Sequence, residues 1–212
     1  MSVHSNFEGK DIPIRVLKES EIPEATLMFA DIFQNDALYR ALFRENGEFP
    51  IALRKYFEVM LKIGVKHHQV FIAGDYLGGA IFFPPTVTHI SILEQLALLK
   101  DAIKIFSFRK LIPSLVDANF LESETPNNLH YYLFAVGHRL DPNLSHHGIA
   151  RALVTPTLNE CDRIQVPCYT EFTSEGSARW GEKLGFKVFK KLNLPIHNEV
   201  IVRLAMRDPQ PL

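Results

Sequence analysis

The chain has few of the residues that would cross-link it or anchor it in a membrane. Among its 212 residues there are two cysteines, Cys161 and Cys168, and no Cys-x-x-Cys pair. That argues against a disulfide scaffold and suits a reducing compartment. Each cysteine sits in a stretch that reads as core, so both are expected to be buried apolar residues. No apolar run reaches the ~18 residues a membrane-spanning helix needs. The first residues, MSVHSNFEGKD, lack the apolar segment of a secretory signal, so a cytoplasmic protein is expected. Neither sign of charge is in excess. The 23 Lys and Arg balance 24 Asp and Glu, for a formal net charge of −1, so neither nucleic acid nor an acidic membrane is indicated as a partner. The Gly-x-Gly-x-x-Gly and Lys-containing phosphate loops are missing, which weighs against a nucleotide-binding βαβ module. The nine histidines show no His-x-x-x-His or other close metal spacing, so no metal is expected.

Aromatic residues are plentiful. Sixteen Phe in a chain that is 47% hydrophobic imply a well-filled core or an apolar cleft. The length fits one domain, residues 1–212. Ile14–Lys18 reads as a first strand. Ile22, Ala25, Phe29, Ile32 and Phe33 recur at helical spacing behind Ser20 and Pro23. A second amphipathic helix is expected over Pro50–Gly64. Gln69–Ala73 and Leu77–Phe83 read as a hairpin turning at Gly74-Asp75-Tyr76. Residues 88–122 interrupt the pattern with helical stripes, Ile90 to Ile103 and Leu111 to Val116, broken at Ser107 and Pro113. This insertion is either a structural flap or a wall of a substrate cleft. A polar loop, Glu122–Asn128, follows.

The stretch around which the chain is organised is 129–152, LHYYLFAVGHRLDPNLSHHGIARA. It reads as a buried strand, a turn at Asp141-Pro142-Asn143, and a helix from about His147 to Ile164 with Pro156 inside it. A strand that feeds a small-residue loop at a helix N-terminus is anion-binding geometry. Free N–H groups point outward there, and the helix dipole favours negative charge. Strand Cys168–Phe172, helix Glu175–Leu184 closed by Gly185, and strands Phe186–Lys191 and Val200–Met206 complete the chain. The order implies an α/β (α+β) fold with a mixed sheet.

This order, with Asp141-Pro142-x-x-Ser145-x-x-Gly148-x-Ala150 at the expected fourth strand, resembles the GNAT superfamily of acyl-CoA-dependent N-acetyltransferases. Its signature there is Gln or Arg, two residues, Gly, one residue, then Gly or Ala. His130-Tyr131-Tyr132-Leu133, Pro156, Val166-Pro167-Cys168-Tyr169, Glu171 and Lys183-Leu184-Gly185-Phe186 look like the puromycin N-acetyltransferase branch. The resemblance implies a mostly antiparallel central sheet flanked by helices, with residues 88–122 as a helical insertion before the fourth strand. It implies that the fourth and fifth strands splay apart to admit pantetheine, with acetyl-CoA as cosubstrate and a small-molecule amine as acceptor. The protein would be a monomer or homodimer.

Carried over by position, Leu140 would bond the pantetheine amide through its backbone. Ser145, His146, His147, Gly148, Ile149, Ala150 and Arg151 would hold the pyrophosphate. Ser177 and Trp180 would lie beside the cofactor. Glu171 is the available base, with His138 as an alternative near an ordinary pKa of ~6.5. The acceptor pocket would involve the Phe33–Phe43 region, the insertion and Asn193–Asn198. The chain departs from the family pattern at three points. Ser145 stands where Gln or Arg is usual, with His146 or His147 able to compensate. Gly137-His138-Arg139 is two residues longer, which implies an altered bulge. Gly181 stands where a tyrosine often protonates the departing thiolate, with Tyr131, Tyr132 and Ser177 as substitutes. Glycine at 181 and serine at 145 motivate an alternative, a non-catalytic CoA-binding protein of the same fold.

Overall fold

The computed structural model describes residues 3–7, 10–43, 48–87, 108–139 and 148–211. Eight strands form one sheet: β1 Val3–Phe7, β2 Lys10–Val16, β3 Val70–Ala73, β4 Gly78–Phe83, β5 Tyr131–His138, β6 Cys168–Phe172, β7 Lys187–Asn193 and β8 Ile201–Arg207. Their spatial order is β1-β2-β3-β4-β5-β6-β8-β7. Neighbours pair antiparallel except β5 with β6, which are parallel. The mixed, mostly antiparallel sheet flanked by helices is therefore the one expected. The first strand was not foreseen. Val3 pairs with Ile14 and Phe7 with Lys10, so the N-terminal residues form a hairpin at the sheet edge. The expected fourth strand is thus the fifth in the chain.

The described residues also form six α-helices: α1 Ile22–Phe33, α2 Ala37–Leu42, α3 Phe49–Lys66, α4 Phe108–Glu124, α5 Ile149–Ile164 and α6 Glu175–Glu182. The sheet divides the core into two layers. One gathers Met28, Phe29, Tyr39, Phe43, Leu53 and Phe57 from α1, α2 and α3. The other gathers Leu153, Val154, Leu158, Cys161, Cys168 and Phe172 around α5. Both cysteines are buried here, as expected. Helix α1 lies directly on backbone. Gly79 and Gly137 face each other across β4 and β5. A Cβ at residue 137 would fall 2.5 Å from Ile32, and one at residue 79 would fall 2.6 Å from Phe29.

Helix α4 corrects the sequence reading in two ways. It runs unbroken through Pro113, where a break was expected, and it extends to Glu124 into the expected polar loop. Pro113 lacks the N–H that would bond the carbonyl of Arg109, so the helix is held here in spite of a lost hydrogen bond. Two buried contacts anchor the helix. Ser114 Oγ donates to the Leu42 carbonyl at 2.6 Å. The fully buried Asp117 carboxylate accepts Ile196 N at 2.8 Å, and its other oxygen lies 2.6 Å from His197 Nδ1. The described part of the insertion is therefore tied to α2 and to the β7–β8 connection. The Ile90–Ile103 stripe and Ser107 lie outside the described residues.

Candidate functional site

Strands β5 and β6 pair only from Tyr131–Cys168 to Leu133–Thr170. Beyond that point β5 continues to His138 on β4 alone, and Glu171 and Phe172 of β6 pair only with β8. The two strands part in the middle of the sheet. A bulge accompanies the parting: Ile81 pairs with Ala135 and Phe82 with Leu133, which leaves Phe134 as an extra residue. The expected bulge therefore falls at Phe134, ahead of Gly137-His138-Arg139. Where the strands separate, the Leu133 carbonyl accepts Thr170 Oγ1 at 2.8 Å, so a buried acceptor keeps a partner.

Helix α5 packs on β4 and β5. Its N-cap, Gly148, has φ +102° and provides no side-chain cap. Glycine suits this left-handed conformation, which a side chain would strain. The N–H groups of Ile149, Ala150 and Arg151 belong to the first turn and have no acceptor within their own helix. Ile149 is buried, Ala150 half-buried and Arg151 exposed. This end of the helix can hold a multiply charged anion. Leu140, Ser145, His146 and His147 lie outside the described residues.

Ser177 belongs to the first turn of α6. Its N–H donates to Ser174 Oγ at 3.1 Å, and its hydroxyl donates to the Ser174 carbonyl at 2.9 Å, so the side chain caps its own helix. Trp180 is half-buried against the core layer on the α5 side. Gly181 is buried under Phe172. A Cβ there would lie 2.7 Å from Phe172 Cε2 and nearer still to Cζ. The space beside Gly181 is therefore filled by the Phe172 ring.

The strand alternation separates the two candidate bases. Cys168 and Phe172 belong to the core layer on the α5 side, so the residues between them, Tyr169 and Glu171, face the layer of α1, α2 and α3. His138 shares a face with Val136, which packs on the α5 side. Its Nδ1 lies 3.1 Å from the Arg139 carbonyl.

Glu171 stands among tyrosines. Tyr169 Oη donates to its Oε1 at 3.0 Å, and the Tyr132 hydroxyl is close enough to favour the charged form. Tyr39 from α2 and Tyr56 from α3 lie close enough for the carboxylate to resist ionisation of their phenols. Burial raises the Glu171 pKa above the usual carboxylate range, partly offset by the two hydroxyl donors. Burial pushes the phenols of Tyr132 and Tyr169 upward as well. The side chain of Glu171 is nonetheless only partly covered, as are Tyr56, Tyr132 and Phe134. Rings line the wall without a break. Tyr132 lies 5.5 Å from Tyr169, Phe134 lies 5.9 Å from both Tyr132 and Tyr56, and Tyr56 lies 5.5 Å from Tyr39.

Asp36 fixes the front of this wall. It caps α2 through Leu38 N at 2.9 Å and Tyr39 N at 3.4 Å, and its other oxygen accepts Thr173 Oγ1 at 2.7 Å. That joins the α1–α2 corner to the end of β6. Replacing Asp36 by Ala removes the cap and the tie together. The expected loss is about 1–2 kcal/mol, read as a fall of about 2–8 °C in Tm at this chain length. An unchanged Tm would show that the corner is held by packing alone.

The aromatic wall was only partly foreseen. Tyr132 and the Phe33–Phe43 region were marked, but Tyr39, Tyr56 and Tyr169 were not assigned. The signal for Tyr169 was present: at residues 169 and 171 of one strand, two side chains share a face.

No protein-family model matches the chain, and no curated protein matches it. Solved structures do match along nearly its whole length. One is a histone acetyltransferase HPA2 and related acetyltransferase from Corynebacterium glutamicum, with TM-score 0.65 and 16% identity over 93% of this chain and 97% of that one. A second is arylalkylamine N-acetyltransferase 2 from Aedes aegypti, with TM-score 0.62 and 17% identity over 95% and 100% of the chains. A third is a Drosophila melanogaster polyamine N-acetyltransferase that forms N-acetylagmatine, with TM-score 0.62 and 16% identity over 93% and 100%. The chain has the fold of these acetyltransferases. Among the described residues no group of His, Cys, Asp and Glu could hold a metal ion, and no helix is long and apolar enough to cross a membrane.

Proposed function

We propose that the protein is a GNAT-type N-acetyltransferase that moves an acetyl group from acetyl-CoA to a small-molecule amine. The observation that carries this is the parted β5–β6 pair, with a carboxylate of raised pKa where the pairing ends, together with the glycine-capped N-terminus of α5. Acetyl-CoA, when bound, supplies a thioester carbon that takes the amine's lone pair as the C–S bond breaks, and the sulfur keeps its electron pair.

In this reading the N–H groups of Ile149, Ala150 and Arg151 hold the pyrophosphate, with Leu140, Ser145, His146 and His147 completing the turn. Glu171 accepts the proton that the amine must shed, and passes it to solvent. His138, on the other face of the sheet, remains the alternative base. The likeness to the puromycin N-acetyltransferase branch belongs to the same reading. It is supported by Pro156 inside α5 and by the left-handed Gly185 (φ +94°) that follows α6.

Replacing Gly148 by Val forces a β-branched residue into the left-handed region, at a cost of about 1–3 kcal/mol. CoA affinity, measured by calorimetry, is expected to fall at least about tenfold. Retained affinity would remove this turn from the reading.

The second reading, a non-catalytic CoA-binding protein, is favoured by Gly181 and Ser145. Acetyl-CoA turnover across a panel of amines separates the two. Tight CoA binding without acetylated product from any amine supports the second reading, and mass-identified N-acetyl product supports the first.

A further inference from the structure

The aromatic wall around Glu171 carries more information than catalysis requires. A base needs one carboxylate within reach of the amine. Here that carboxylate is bonded to Tyr169 of β6, whose ring continues through Tyr132 of β5 and Phe134 to Tyr56 of α3 and Tyr39 of α2. Electron-rich ring faces about a carboxylate suit an ammonium group. A cation within about 6 Å of a ring centroid gains about 0.5–2 kcal/mol per favourable face.

Beyond the tyrosines the same face continues as Phe134, 5.9 Å from the Tyr56 ring and 5.3 Å from that of Phe83. Phe134 is the extra residue of the β5 bulge, so the bulge turns an additional ring onto this face. Tyr56, Tyr132, Phe83 and Phe134 are each only half-buried, so their surfaces remain available. Rings spaced this way accept a further flat ring in offset or edge-on contact at about 4.5–7 Å.

Two other carboxylates bear on these tyrosines: Glu124, paired with Lys190, acts on Tyr169, and Asp36 acts on the phenols of Tyr39 and Tyr56. Asp36 already accepts two backbone N–H groups and the Thr173 hydroxyl. Asp36 and Glu124 are thus committed to backbone, hydroxyl or lysine partners, whereas the hydrogen-bond partner of Glu171 is a phenol of the same wall. A substrate with two cationic ends would leave one of them against apolar rings.

We infer that the acceptor is an aromatic monoamine, with its ammonium held by Glu171 inside the tyrosine cage and its ring laid against Tyr56 and Phe134. This rests on the acetyltransferase reading for its chemistry, but the binding preference can be tested without it.

Three probes of similar reach separate the terms: 2-phenylethylamine, 2-cyclohexylethylamine and agmatine. Binding to the full chain is followed by saturation-transfer NMR and calorimetry, with and without CoA, and acetylated product by mass spectrometry with acetyl-CoA. The expected result is an affinity and a kcat/KM for 2-phenylethylamine at least about tenfold above both others. Tyr56→Leu should remove the preference for the aromatic over the cyclohexyl body, and Tyr56→Phe should keep it. Glu171→Gln should weaken all three amines together.

Equal handling of the phenyl and cyclohexyl amines, or a preference for agmatine, overturns the inference while leaving the acetyltransferase reading intact. Selective binding of 2-phenylethylamine without product from any amine sustains the inference and sinks acetyl transfer. Absence of binding by any of the three overturns the cage itself.

Discussion

Glu171→Gln is expected to lower kcat/KM for amine acetylation by about 10²- to 10⁴-fold, the usual contribution of a positioned general base, with CoA affinity unchanged. The carboxylate lies on the α1–α3 face of the sheet, while the helix end proposed to hold the pyrophosphate belongs to α5. Removing the charge should therefore leave the nucleotide side alone. The pH profile adds a second test. Burial holds the Glu171 pKa above the usual carboxylate range, so the wild-type rate should rise with pH through an inflection displaced upward from an ordinary glutamate. The Gln variant should lack that limb and keep the later one set by the amine itself.

Stability should move in the opposite direction. A carboxyl whose folded pKa is raised favours the fold in its protonated form. That contribution is present below the unfolded pKa and is lost as pH rises through the folded one. Above the folded pKa the wild-type protein bears a desolvated charge that glutamine lacks, so there the variant's Tm should match or exceed the wild type, and the difference should shrink on acidification. A variant that is less stable and fully active would exclude Glu171 from the mechanism and give it a structural role.

Much of this site was legible because it depends on local rules. The strand at 131–138, the glycine at 148 and the helix at 149–164 follow from periodicity and from the need for glycine at a positive φ. The core positions of Cys161 and Cys168 follow from the same periodicity. What was not legible depends on packing between distant segments. The hairpin β1–β2 pairs Val3 with Ile14 through backbone bonds that composition does not announce. Helix α4 passes through Pro113 because buried Ser114 and Asp117 anchor it to Leu42 and Ile196, which lie 72 and 79 residues away in the chain. The tyrosine cage is assembled from four separate elements. Sequence spacing could pair Tyr169 with Glu171, but only tertiary packing brings Tyr39 and Tyr56 to them.

Gly181→Tyr is expected to destabilise the protein by about 3 kcal/mol or more, beyond the usual range for overpacking. The reason is geometric. Gly181 is buried, and a Cβ there already overlaps the Phe172 ring, which itself packs edge-on to Phe186 with centroids 6.0 Å apart. Phe172→Ala alone should cost about 3–5 kcal/mol through the cavity it leaves. The double variant tests whether the two positions form one packing unit. Its destabilisation should fall short of the sum of the single changes by more than about 1 kcal/mol, because the new phenol can occupy the vacated space. Additive losses in thermal or urea unfolding would mean that the two sites do not share volume.

The same double variant bears on catalysis. A thiol of pKa about 8.5 leaves readily without a strong acid, so if Glu171 carries the proton transfer, the added hydroxyl should change kcat by only a few-fold. A gain of a hundredfold would instead identify proton donation to sulfur as the step this chain performs poorly. Phe172 would then be the side chain that occupies the space such a proton donor needs.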